Sequence, residues 1–462
     1  MSNPQTRTLT EGSTARALAV VSAPMSLGIL AVISIGLADA YFLGQLGQGP
    51  LAAVGFIFPV TTAITSLSIG LSAGANAVLS QSIGRARNNS AVQRAALQAI
   101  GLGTLLAAAV AAMLWLAYPT VFALMGADDA VLGHIGAYIP IWCASFPFLV
   151  AMMVGNAAFR AHGDGMRAAA TMVVAAIVNI GLDPILIFGL GPLPAFDVAG
   201  AAWATLVARA LAMALALTWA WRRGLIGSCG NPLTDLARNT RELVKVGAPA
   251  AFSNAINPAG MALVTAAVAT LGQAYVAGFG AATRVQALAI VPLLALSAGI
   301  GPVVGQNWGA DKQDRARQAL RQTFLICAGY GLLAGAGLFL FASPIAATIA
   351  SGEEATRHAA LYLKVVGWSL GGYGILVTAN AAMNARSRAL WSMSLSLARI
   401  FAIYLPLAWL GVWTFGYIGI LGAAVMANLL AIWGAVIATR ATGLLRFKMG
   451  RVAWPARLAS SG

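Results

Sequence analysis

The stretch Leu71–Gly84, LSAGANAVLSQSIG, returns in the second half of the chain as LSAGIGPVVGQNWG at Leu296–Gly309. The offset from Leu71 to Leu296, here called the repeat offset, also aligns LGQGPLAAVG from Leu46 with LGQAYVAGFG from Leu271, without a gap. The similarity continues at almost the same offset with NAA at positions 156 and 380 and with GAA at positions 200 and 422. A register kept over this distance predicts that the chain is an internal repeat of two halves.

The longest basic loop, WRRGLIGSCGNPLTDLARNTRELVK, lies near the middle of the chain. We interpret it as the linker between the two halves. The predicted division is therefore an N-terminal lobe at 1–221, a cytoplasmic linker at 222–242, and a C-terminal lobe with a cytoplasmic tail at 243–462.

The composition is that of a membrane protein. Of 462 residues, 60% are hydrophobic and 9% are charged, whereas soluble domains average about 45–50% apolar and about 25% charged residues. Apolar runs long enough to span a bilayer recur along the chain. The sequence predicts an all-α polytopic protein with twelve spans, six in each half: 17–44, 51–82, 95–118, 131–159, 167–190, 197–221, 243–270, 276–307, 318–342, 358–384, 391–413 and 418–440.

The charged loops test this count. Bases gather after the even-numbered spans and in the C-terminal tail: Arg85, Arg87, Arg160, Arg167, Arg222, Arg223, Arg238, Arg241, Lys245, Lys312, Arg315, Arg317, Arg386, Arg388, Arg446, Lys448, Arg451 and Arg457. The alternate loops are nearly free of bases, with Arg357 as the one exception, and three of them carry the acids Asp128, Asp129, Asp197, Glu353 and Glu354. By the positive-inside rule, both termini are cytoplasmic. Because six spans per half is an even number, the repeat is parallel, with its pseudo-two-fold axis along the membrane normal. Two such lobes enclose a central cavity, which is typical of transporters.

Several other classes of protein are excluded by the sequence. The net charge of +15 lies in these loops and does not indicate nucleic-acid binding. No cleavable signal peptide is seen at the start of the chain, and no phosphate-binding loop of an ATPase is present. We expect no metal site and no cofactor, because the cysteines and histidines show no ligand spacing: Cys143, Cys229, Cys327, His134, His162 and His358.

Two aspartates lie within apolar runs of the first half. Asp39 is about four residues inside the external end of the first span and Asp183 is about seven inside that of the fifth, or about 6 Å and 10 Å deep. Asn179 is one turn from Asp183 and shares its face. Carboxylates at such depth are costly and mark ion or substrate pathways. The alternatives are a helix-end residue for Asp39 and a structural hydrogen bond beside Pro184 for Asp183.

A pair of neighbouring carboxylates suits ion coupling. Burial and mutual repulsion both favour a protonated carboxyl, which is released when water or a cation enters. The amide of Asn179 can stabilise either state because it both donates and accepts hydrogen bonds. A proton and a cationic substrate would then compete for one site.

The chain resembles the multidrug and toxic compound extrusion (MATE) family. The similar stretches are ADAYFLGQLGQGPLAAVG at the end of the first span, GRARNNSAVQRA after the second, and NIGLDPILIFGLGPLPAFDVAGAAWAT in the fifth and sixth. The resemblance covers essentially the whole chain. It implies export of organic, often cationic, compounds in exchange for protons or sodium, in the inner (plasma) membrane. We expect a monomer in the lipid bilayer, with small organic molecules as partners.

One branch of that family carries acidic residues in the first and fourth helices of its C-terminal lobe. Here those spans contain neither Asp nor Glu, so the chain resembles the branch whose ion site lies in the N-terminal lobe. Asn156 and Thr205 match that site's polar positions, although hydrogen bonding between helices would also explain them. Pro24 permits a kink in the first span below Asp39; adaptation to packing is the alternative.

Three arginines, Arg209, Arg284 and Arg399, lie within apolar runs, and the sequence does not show where they lie relative to the cavity. We expect Arg399 to reach the cytoplasmic interface by snorkelling and Arg284 to pair within the second half; the position of Arg209 relative to the cavity is not determined by the sequence. Two alternative functions also stay open. A lipid-linked precursor flippase of the wider superfamily usually has fourteen spans and a basic cavity, and an uncoupled channel would lack a use for paired carboxylates.

Overall fold

The computed structural model describes residues 9–85, 88–189, 194–227 and 230–446. Arg87, Cys229 and the three basic residues after Arg446 lie outside these ranges. The described residues form sixteen α-helices: α1 (Thr14–Gly44), α2 (Gln48–Gly84), α3 (Asn89–Leu124), α4 (Asp129–Ala161), α5 (Gly165–Phe188), α6 (Asp197–Arg222), α7 (Leu236–Ala269), α8 (Gln273–Ala289), α9 (Val291–Gly309), α10 (Gln313–Leu340), α11 (Ala342–Ile349), α12 (Glu353–Val366), α13 (Leu370–Ala385), α14 (Ala389–Leu397), α15 (Leu405–Phe415) and α16 (Tyr417–Ala441).

These helices make twelve candidate spans in the described part of the chain. Eleven are long and apolar enough on their own, with α12–α13 and α14–α15 each counted as one span. The twelfth is the pair α8–α9, bent by 43°. Pro292, at the start of α9, explains the bend, because proline removes a backbone donor and clashes with the preceding turn. The prediction of an all-α protein with twelve spans is confirmed.

Most predicted spans agree with the observed helices within a few residues. The largest difference at one end is at α7, which begins at Leu236, inside the predicted linker range 222–242. Helix α3 extends beyond the predicted span 95–118 at both ends. The lobe boundaries themselves stay a prediction. Within α14–α15, residues Ala398–Tyr404 form a π-helical segment that the sequence pattern did not indicate.

The contact between α2 and α9 reveals the internal symmetry of the molecule. A Cβ atom placed on Gly84 would lie 2.1 Å from the carbonyl oxygen of Gln306, and one on Gly309 would lie 2.3 Å from that of Gln81. The repeat offset converts one contact into the other. Two helices that exchange equivalent contacts in this way pack about a pseudo-two-fold axis, as the repeat predicts. Glycine is required here because any side chain would separate the helices.

The same two glutamines form reciprocal hydrogen bonds between the halves. Gln81 Nε2 donates to the carbonyl oxygen of Ala385 at 2.7 Å, and Gln306 Nε2 donates to that of Ala161 at 2.6 Å. Ala385 and Ala161 are the last residues of α13 and α4. Carbonyl groups at helix ends lack partners within the helix, so each glutamine satisfies a helix end of the opposite half. We call this pair the glutamine latch.

The segment before α1 adds further contacts to the second half. The Leu9 N–H donates to Gln306 Oε1 at 2.9 Å, Asn307 Nδ2 donates to the Leu9 carbonyl at 3.1 Å, and Arg315 Nη1 donates to the Gly12 carbonyl at 2.8 Å. We define the basic face as the end of the molecule that carries the basic loops. Within the described ranges, every hydrogen bond between the halves lies near this face, so the protein is closed there.

Candidate functional site

Four of the predicted site residues lie together, on three helices of the first half. Asp39 lies near the end of α1, and Asn179 and Asp183 lie one turn apart on α5. Thr205 lies on α6. Helix α5 is fixed at its start by the Asp164 side chain, which accepts a hydrogen bond from a backbone N–H of the first turn. The fold thus brings the two carboxyl groups, the amide and the hydroxyl together.

The carboxyl groups of Asp39 and Asp183 are neighbours and interact electrostatically. The Asp183 side chain is fully buried, and Asp39 is partly exposed with its Oδ1 atom buried. Ionised carboxylates only accept hydrogen bonds, so the two groups can bond to each other only by sharing a proton. The pair is therefore arranged to bind a proton or another cation.

A polar chain extends from the pair across the helices. Asn179 Nδ2 lies 3.4 Å from Thr205 Oγ1, a long hydrogen bond. Tyr138, on α4, lies beside Thr205 and interacts electrostatically with both aspartates. The site therefore draws on four helices of the first half: α1, α4, α5 and α6.

Four oxygens in this cluster have no hydrogen-bond donor among the described residues. They are Asp39 Oδ1, Asn179 Oδ1 and both carboxylate oxygens of Asp183, and all four are buried. Buried acceptors without donors are rare in folded proteins because leaving them unpaired costs free energy. Oxygens gathered in this way would be satisfied by a proton, a water molecule or a small cation.

Arg209 supplies a positive charge beside the pair. It interacts electrostatically with Asp39 and Tyr138, its Nη1 donates to Ser145 Oγ at 2.7 Å, and its Cζ lies 5.3 Å from the ring centre of Trp142. When both aspartates are ionised, two negative charges and one positive charge remain. The site then has a net charge of −1 and can be neutralised by one monovalent cation.

Two predicted residues lie apart from this cluster. Asn156 accepts a hydrogen bond from Thr171 Oγ1 at 2.8 Å, and Thr171 is about 12 Å along α5 from Asn179. Pro24 is about four helical turns before Asp39 in a continuous α1 and lines a cavity near the basic face. Their roles in transport stay predictions.

Sequence reasoning missed two members of the site. Arg209 is one helical turn after Thr205, which places both on one face of a helix, and this spacing could have indicated its position. Tyr138 carries no comparable signal, because it is one of nine tyrosines in the chain.

The expectation that Arg399 snorkels to the interface is wrong. Its side chain is 9% exposed and turns into the second half, where it donates hydrogen bonds to Asn428 and Asn257. The reason is that buried amide oxygens are near enough to bind the guanidinium directly. Arg284 has an exposed side chain, and the ion pairs of the described ranges do not include it.

Comparison with known proteins extends these observations. The sequence profile of the MatE family matches residues 24–185 and again residues 249–410, so the two matches are related by the repeat offset. The FAD transporter of Shewanella oneidensis is 34% identical over 417 residues, which cover 90% of this chain and 92% of the relative.

Two further proteins are similar to this chain, one in sequence and one in structure. A probable multidrug resistance protein of Bacillus subtilis, YoeA, is 24% identical, over 84% of this chain and 86% of its own. The crystal structure of a mutant of the Vibrio cholerae MATE transporter VcmN superposes with a TM-score of 0.88 and 29% identity, covering 93% of this chain and 97% of that one.

Proposed function

The chain belongs to the MatE family of membrane transporters, and on this premise we propose that it is a secondary antiporter. In this proposal it exports small organic compounds in exchange for protons or sodium. It acts as a monomer in the inner (plasma) membrane, with both termini in the cytoplasm. The coupling ion is cargo, and no bound cofactor takes part.

The observation that carries this proposal is the pair Asp39–Asp183 with its unpartnered oxygens. Four buried acceptors lack donors among the described residues, and Arg209 balances one of the two carboxylate charges. The site therefore accepts one positive charge at a time. A proton that enters from outside displaces a cationic substrate, and loss of the proton restores the affinity for the next one. Because both ligands compete for the same oxygens, their movements are linked.

The glutamine latch gives this exchange a direction. In the proposed orientation the basic face is cytoplasmic, so the hydrogen bonds of Gln81 and Gln306 would close the inner side of the predicted central cavity. Breaking these bonds would allow the cavity to open inward. Pro24, near the same face, would permit α1 to bend during this change, because a proline weakens the helix around it.

Two substrate classes are candidates. Organic cations match the net negative site, and two of the relatives and structures above carry multidrug resistance or MATE names. A flavin dinucleotide is the second candidate, because the relative with 34% identity is named an FAD transporter. The two classes differ in charge and would use different surfaces of the cavity.

The test is transport by purified protein in liposomes. Ethidium export should follow an imposed pH gradient or an imposed sodium gradient, and Asp183→Asn should remove this dependence. Asp197→Asn is the matched control, since Asp197 is exposed at the start of α6. Ethidium flux that ignores both gradients would instead indicate a channel.

A further inference from the structure

Arg399 is a buried cation with only neutral partners. Its Nε and Nη2 atoms donate to Asn428 Oδ1 at 3.2 and 2.8 Å, and its Nη1 donates to Asn257 Oδ1 at 3.3 Å. The ion pairs found in the described part of the chain do not involve it. Its full positive charge is therefore uncompensated in a side chain that is 9% exposed.

The depth of Arg399 makes this charge expensive. Its span runs from Ala389 to Phe415, which places Arg399 about 15 Å from one end and about 24 Å from the other. Charged residues near the middle of a span are costly and mark substrate or ion pathways. The residue also lies in the π-helical segment Ala398–Tyr404, and π-helical turns inside spans are frequent at functional sites.

The surroundings of Arg399 suit an anionic ligand with an aromatic group. Its Cζ lies 5.4 Å from the ring centre of Tyr373, and Tyr404 and Tyr362 also interact with it electrostatically. A guanidinium has five N–H donors, of which the bonds to the two asparagines use three. The remaining donors, one on Nη1 and one on Nη2, can bind the oxygens of a phosphate group. Tyrosine rings present both apolar faces and hydroxyl groups.

The internal repeat relates this cluster to the aspartate site. Asn257, Tyr373, Arg399 and Asn428 lie on the seventh, tenth, eleventh and twelfth spans, the counterparts of the first, fourth, fifth and sixth, which hold Asp39 and its neighbours. Tyr362 is the counterpart of Tyr138, at the same offset that relates the NAA at position 156 to the NAA at position 380. In the spans of the second half, acidic residues occur only near the span ends: Glu242, Asp314, Glu353 and Glu354. The equivalent regions of the two halves therefore carry opposite charge.

We propose that Arg399, with Tyr373 and Asn428, forms an anion-binding site in the second half that binds a phosphate group of an aromatic substrate such as a nucleotide. The inference rests on the proposed transport function and assigns one of its substrate classes. The aspartate site then binds the coupling cation, while the Arg399 site binds the phosphate of the exported molecule. Organic cations do not need this second site.

The experiment measures equilibrium binding of flavins to the purified, detergent-solubilised protein without any gradient. Riboflavin, FMN and FAD share one ring system, and only the last two carry phosphate. The wild type should bind FMN and FAD about 10- to 100-fold more tightly than riboflavin, the range expected for charged hydrogen bonds. Arg399→Gln should remove this difference, and Arg399→Lys should keep part of it. Arg284→Gln, an exposed arginine of the same half, is the matched control.

Three outcomes would overturn the proposal: equal binding of all three flavins by the wild type, an unchanged phosphate preference in Arg399→Gln, or an equal loss in Arg284→Gln. If Arg399→Gln does not fold, the proposal can be tested on the wild type by competition with inorganic pyrophosphate. Pyrophosphate should displace bound FAD and should leave ethidium bound. Failure to displace FAD would refute the site. Binding needs no gradient, so a failure here is distinct from a failure of ion coupling, which appears only in the liposome assay.

Discussion

Replacement of Gly84 by alanine should open the basic face. The new Cβ would lie 2.1 Å from the carbonyl oxygen of Gln306, whereas carbon–oxygen contacts normally lie at about 3.3–3.6 Å. The backbone oxygen cannot rotate away, so α2 and α9 must separate by about 1 Å at their crossing. Overpacking of this kind costs about 1–3 kcal/mol. Because the cost falls only on the closed state, the ratio of open to closed protein should rise about 5- to 150-fold.

A buried cysteine can report this opening. Ala77 has no exposed surface and packs with Val246 of α7 and Ala389 of α14, between the two halves. In a Cys229→Ser background, Ala77→Cys should react slowly with a small maleimide. Adding Gly84→Ala should raise the labelling rate about 5- to 150-fold, as much as the ratio of open to closed protein, because the reagent reaches the cysteine only in the open state.

The matched control is Gly55→Ala in the same helix, where a Cβ atom would meet no other atom within 4 Å. It should leave the labelling rate unchanged. Equal rates with and without Gly84→Ala, or an equal increase in Gly55→Ala, would refute the idea that close helix contact at Gly84 keeps the basic face closed.

The remaining predictions concern coupling and orientation. Asp39→Asn should reduce ethidium export driven by a pH gradient to the level of protein-free liposomes while its melting temperature stays near that of the wild type; wild-type coupling would make Asp39 a helix-end residue. Arg209→Gln removes the positive charge beside the pair and changes the net charge of the ionised site from −1 to −2, so the pH profile of export should differ from that of the wild type; an unchanged profile would exclude Arg209 from the site. The orientation can be tested in whole cells with variants that also carry Cys229→Ser. An impermeant maleimide added outside the cells should label Asp197→Cys and should not label Arg238→Cys. Labelling of Arg238→Cys would contradict the proposed orientation.

Much of the fold could be predicted because a bilayer permits few kinds of backbone structure. Long apolar runs must be helices, since the backbone has no other partners in lipid, and the repeat at Leu71 and Leu296 divides the twelve spans into two halves of six. Local distortions were not predicted. The bend at α8–α9 follows from Pro292, but other prolines lie inside unbroken helices, such as Pro24 in α1, so proline alone does not indicate where a span bends.

The site could be predicted only in part. Depth along the helix placed Asp39 and Asp183 together, and helical spacing placed Asn179 beside them. The direction of the other polar side chains was harder to predict, because spans that are apolar on every side do not show which face is buried. For this reason Tyr138 was missed and Arg399 was predicted to point the wrong way.

The central claim is that a proton and a cationic substrate compete for the Asp39–Asp183 pair. The most direct measurement is the pH change when ethidium is added to purified protein in a weakly buffered solution near neutral pH. We predict release of about one proton for each ethidium bound by the wild type, because only one positive charge balances the site. Asp183→Asn should release none, and Asp197→Asn should match the wild type. Ethidium binding without proton release by the wild type, or undiminished release by Asp183→Asn, would contradict the account.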